Sequence, residues 1–156
     1  MRLWHQKLIP YLPRQQLLGQ HRECCALRGK GWGRKHATVD YVFIYSPNKL
    51  VAYHLLVMRE MNRRGYNPDR IWTFANYRGK TLGYDDNFAD IYGTNLEYGF
   101  AISKDWEPPV YTVDSNIIYP MDFFEYIIYP EHNEKYLKEC LDNLKSKGIE
   151  IELKGE

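Results

Sequence analysis

The chain has 156 residues, 44% hydrophobic and 26% charged, which suits one soluble domain with a sizeable core. No apolar run approaches the roughly 20 residues of a membrane span, the start Met1-Arg2-Leu3-Trp4-His5 is too polar for a secretory signal, and three cysteines, two of them adjacent, exclude a disulfide framework. The net charge of +1 hides a division: residues 1–80 carry fifteen Lys and Arg against four Asp and Glu, and residues 81–156 carry six against sixteen.

In chain order, Pro13 suits the first turn of a helix. Leu17, Leu18, His21, Cys25 and Leu27 then repeat at helical spacing through about residue 28. The stretch 29–36, Gly-Lys-Gly-Trp-Gly-Arg-Lys-His, ends that helix in a basic loop. Val39 to Tyr45 is short and apolar and reads as strand or extended entry. Ser46-Pro47 reads as N-cap and first residue of a second helix, with Leu50, Tyr53, His54, Leu56, Val57 and Met61 buried and Gly65 as its stop. Residues 66–117 are rich in turn formers and read as irregular connections, and residues 117–128 are aromatic and apolar without a defined type. Pro130 is expected to open a third helix with Tyr136, Leu137, Cys140, Leu141 and Leu144 on one face, stopped at Gly148. Ile149 to Leu153 alternates like a terminal strand. The predicted fold is therefore mainly α, a compact single domain over 1–156 with about three helices and long irregular connections.

The uneven charge predicts a basic face for an anionic partner, or two halves that fold together and neutralise. The basic loop places Arg28, Lys30, Arg34 and Lys35 around Trp32, with glycines that permit close approach. That pattern suits a loop that tracks phosphates and stacks on a base, and equally a solvated basic turn. It lacks the spacing of a P-loop or a dinucleotide fingerprint. The 14 tyrosines either fill a half-wet core or stack on bases. Trp4, Trp32 and Tyr77 are candidate wedges for a distorted duplex. With no CxxC and no His-Cys cluster at ligand spacing, no metal site is expected, and no cofactor either.

Met1-Arg2-Leu3-Trp4, followed by Leu17-Leu18-Gly19-Gln20-His21-Arg22-Glu23, resembles the pyrimidine-dimer DNA glycosylase family of the phage endonuclease V type. Arg34-Lys35-His36, Ser46-Pro47 and Arg63-Arg64-Gly65-Tyr66-Asn67 are similar to segments of that family as well. The resemblance covers about 70 residues and implies a compact, mostly helical enzyme on damaged double-stranded DNA. It implies a glycosylase with abasic-site lyase activity, in which the amine at the chain start attacks the sugar and a helix glutamate assists. By that resemblance Met1 supplies the amine, Glu23 the carboxylate, and Arg2 and Arg22 the phosphate contacts.

The chain departs from the family in bearing Met-Arg where the family exposes Thr-Arg, and because Arg at position 2 disfavours removal of the initiator, Met1 is expected to stay. The family's next helix arginine falls at Ala26 or, displaced, Arg28, a helix histidine of the family is Gln16, and the C-terminus is acidic rather than aromatic and basic. Two other readings stand beside the enzyme: a nucleic-acid binder without chemistry, and an interaction protein whose acidic half docks a basic partner. A monomer in the cytoplasm is expected.

Overall fold

The computed structural model describes residues 2–30, 39–45, 47–74, 76–85 and 127–154, with the strands 111–113 and 116–118. The architecture is mainly helical, as its periodicity predicts. Among the described residues, three helices, α1 (Arg14–Lys30), α2 (Pro47–Arg63) and α3 (Glu134–Ser146), are accompanied by irregular chain and three 3₁₀ segments, Gln6–Tyr11, Asp40–Ile44 and Arg70–Thr73. Strands β1 (Tyr111–Val113) and β2 (Asn116–Ile118) form one antiparallel pair with Thr112 opposite Ile117.

Helix α2 is the centre. Leu50, Val51, Ala52, Tyr53, Leu55, Val57 and Met58 are all buried, so apolar groups run round its whole circumference. A helix of that kind needs cover on every side. Cover comes from α1, from the first two 3₁₀ segments and from β1. Its end is a Schellman motif: Gly65 N–H donates to the Asn62 carbonyl (3.0 Å) and Tyr66 N–H to the Met61 carbonyl (2.9 Å). Gly65 sits there at φ +89°, as its position in the sequence predicts. Helix α3 ends in the same way at Gly148.

Four expectations change. Residues Asp40–Ile44 form a 3₁₀ helix rather than a strand, because only Val42 turns fully inward while Ile44 stays 74% exposed. Helix α3 opens at Asn133, whose side chain accepts from Tyr136 N–H, and Pro130 lies in the turn before it. Among the described residues, 149–153 pair with no strand, although Ile149, Ile151 and Leu153 pack on the core. The inward face of α1 keeps Leu17 and Leu27 of the expected stripe but adds Gln20 and Cys24 between them, while Leu18, His21 and Cys25 are half-buried. A polar residue, Gln20, holds a place in that buried row, which is why an apolar count finds only part of the face. Ser46, expected as the N-cap of α2, and most of residues 117–128 lie outside the described residues.

Candidate active site

A chain end frays unless something ties it down. Here residues 2–6 are tied on three sides by side chains. From α1, Gln20 Oε1 accepts from Trp4 N–H (2.7 Å), and Gln20 Nε2 donates to the Arg2 carbonyl (3.0 Å). From α2, the Tyr53 hydroxyl lies 2.6 Å from the Trp4 carbonyl. From α3 and the turn before it, the Tyr136 hydroxyl donates to the Leu3 carbonyl (2.6 Å) and Gln6 N–H donates to His132 Nδ1 (3.1 Å). Leu3 and Trp4 are buried beneath these bonds.

Glu23 joins this assembly. Gln20 Nε2, the same nitrogen that holds the Arg2 carbonyl, donates to Glu23 Oε2 (2.9 Å). The carboxyl and the backbone of Arg2 thus share one amide group. Burial pushes the Glu23 carboxyl above the usual carboxylate range, against the opposing effects of the Arg2 backbone amide and the charges of Arg22 and Lys147. Met1, covalently joined to Arg2, lies outside the described residues.

The expected phosphate ligands divide. Arg22 is exposed on α1 beside Glu23. Arg2 is half-buried, its guanidinium 5.7 Å from the Trp4 ring and 5.9 Å from the Tyr136 ring, so a phosphate would compete with both faces. Arg28 is a correction. It is fully buried, and its guanidinium donates to the carbonyls of Trp72 (2.8 Å), Phe74 (2.6 Å) and Tyr77 (3.1 Å). It ties segment 72–77 to α1 and has no surface to offer DNA.

Trp4 and Tyr77 are buried too, so neither stands out as a wedge. Arg78 donates to the Arg28 carbonyl (3.1 Å) and pairs with Asp85 (3.0 Å), capping the end of α1. The Tyr77-Arg78 turn is therefore structural. Arg64 donates to the carbonyls of Leu12 and Pro10 and, with Arg63, flanks Glu60, so these cations also brace the fold. The side chain of Lys30, with Trp32, Arg34 and Lys35, lies outside the described residues.

Folding also assembles a cluster that sequence spacing conceals. His21 and Cys25, one helical turn apart on α1, meet His54 of α2, with ligand atoms all within 4.8 Å of one another. The separation of His54 from the other two in sequence hid the set, and the distances alone would admit an ion. The hydrogen-bond polarity does not favour one. A guanidinium only donates, so Arg28 Nη1 donates to His54 Nδ1 (2.9 Å). Neutral His54 then carries its proton on Nε2 and donates to His21 Nδ1 (2.9 Å), and His21 Nε2 turns its proton toward Cys25 Sγ (3.8 Å). A ligating histidine needs a lone pair at the metal and an acceptor behind its other nitrogen; His54 has the reverse. Burial, with Arg28 and Arg22 adding repulsion, lowers His21 to about 4, and burial raises the Cys25 thiol to about 12. The cluster is a neutral relay oriented by Arg28.

Residues 1–74 match the family described as pyrimidine dimer DNA glycosylase, the family that the residues of the chain start and α1 resemble. The matched stretch contains the pinned start, Gln20, Glu23 and all of α2. No curated protein and no solved structure gives a match.

Proposed function

We propose that this chain, whose first 74 residues match a pyrimidine dimer DNA glycosylase, cleaves damaged duplex DNA through the amine at its start. The observation that carries the proposal is the shared amide of Gln20, which holds the backbone of Arg2 and the carboxyl of Glu23 together.

An α-amine has a pKa of about 7.7–8.0, so roughly one in ten is neutral at pH 7, far more than for lysine. The neutral amine of Met1 attacks the sugar C1′ as the bond to the base breaks, and the base leaves with a proton. Opening of the sugar ring gives a protonated imine. Loss of a C2′ proton expels the 3′ phosphate and nicks the strand, and water then releases the enzyme. Glu23 is the group placed to stabilise the positive charge at C1′ and to move protons between these steps. Arg22, exposed on the same helix turn, is suited to a flanking phosphate.

Borohydride reduction of the protein on an abasic duplex tests this, on protein whose intact mass establishes that Met1 is the terminus. A covalent adduct is expected, abolished by N-terminal acetylation. Glu23→Gln should lower its formation about a hundredfold while duplex affinity is retained. Absence of an adduct across neutral pH, with DNA still bound, would leave a binder without chemistry.

A further inference from the structure

The Gln20 side chain is 1% exposed and its polar atoms are all engaged. A backbone N–H can only donate, so the atom facing Trp4 N–H at 2.7 Å is the oxygen, Oε1, and the amide orientation is settled by its surroundings. The Tyr53 hydroxyl, 2.8 Å from Oε1 and 2.6 Å from the Trp4 carbonyl, shares its single proton between the two and braces the same end. The NH2 end must then point toward the Arg2 carbonyl (3.0 Å) and Glu23 Oε2 (2.9 Å), one hydrogen to each. An amide nitrogen accepts nothing, so Glu23 Oε2 accepts from it, and this bond favours the ionised carboxylate.

We infer that Gln20 is a positioning residue for Glu23: its bridging amide sets the carboxyl against the backbone of Arg2 and fixes its orientation for proton transfer at the chain start. This rests on the role proposed for Glu23 above. Tyr53 and the Trp4 backbone act one step further out, by fixing which way the amide faces. The arrangement couples three segments distant in sequence, the chain start, α1 and α2, to the rotamer of one carboxylate.

The test combines NMR with trapping kinetics on the full-length chain. In the unaltered protein the side-chain amide resonances of Gln20 should shift with the titration of the Glu23 carboxyl, followed by carbon-labelled glutamate. Gln20→Leu removes a donor to the ionised carboxylate and should raise the Glu23 titration midpoint. Gln20→Glu sets a second carboxyl against the first and should raise it further, by about one unit or more. In borohydride trapping on an abasic duplex the acid limb has an upper step set by the amine and a lower step set by Glu23; the lower step should move up in pH with the midpoint, while duplex affinity stays unchanged. Gln20 amide resonances that ignore the Glu23 titration in the unaltered protein overturn the inference, whether or not either variant folds. So does an unmoved lower step in folded variants. If the unaltered protein yields no adduct, the proposed reaction fails, and the NMR titration alone decides whether Gln20 holds the carboxyl.

Discussion

Glu23 and Arg28 stand on one helix, and their surroundings give them opposite roles. Glu23 is half-buried and held by one amide beside the chain start. Arg28 is closed in beneath Trp72, 5.1 Å from its ring, and holds three carbonyls. Burial lowers it to about 10, so it remains a cation at neutral pH. Replacing it with Met would orphan those carbonyls and one face of His54. We expect a stability loss of about 3 kcal/mol by urea unfolding, several unmet groups together exceeding the usual cost of one. The salt dependence of DNA binding should not change, because Arg28 has no surface to present. Arg22→Ala should do the reverse: little change in stability, and a slope of log affinity against log salt reduced by about one.

At the scale of elements, helix stops were legible and helix faces less so. Gly65 and Gly148 end α2 and α3 where expected, because the left-handed backbone they adopt is costly for any residue with a Cβ. Gly65→Ala should therefore cost about 1–2 kcal/mol in thermal or urea unfolding, although nothing lies near the added methyl. The face of α1 is legible only in part, at Leu17 and Leu27, because Gln20 occupies a core position for its hydrogen bonds, which no hydropathy pattern reports. Residues 40–44 look like a strand for the opposite reason: Tyr41, Val42 and Phe43 have strand preferences, yet packing against α2 turns them into a 3₁₀ helix.

For the molecule as a whole, the buried histidines set an acid limit. Burial holds His21 near 4 and His132 near 3, and places His54 well below its ordinary value. Each is bound neutral in the folded state and takes a proton freely near 6.5 when unfolded. The stability they contribute is complete above pH 6.5 and lost as the pH falls from there through about 4 to 3. Melting temperatures should accordingly fall through that window, and a flat profile between pH 6.5 and 4 would contradict the packing described. What the amino-acid order determined alone was local: three amphipathic or apolar helices, their glycine stops, and the family signature of the chain start and α1. What only tertiary structure decided was which polar groups meet. Gln20 with Arg2, Tyr53 with Trp4, and Arg28 with His54 are separated by 18, 49 and 26 positions. Spacing and hydropathy carry no record of such pairings, because a buried polar group is stabilised only by the partner that folding brings to it.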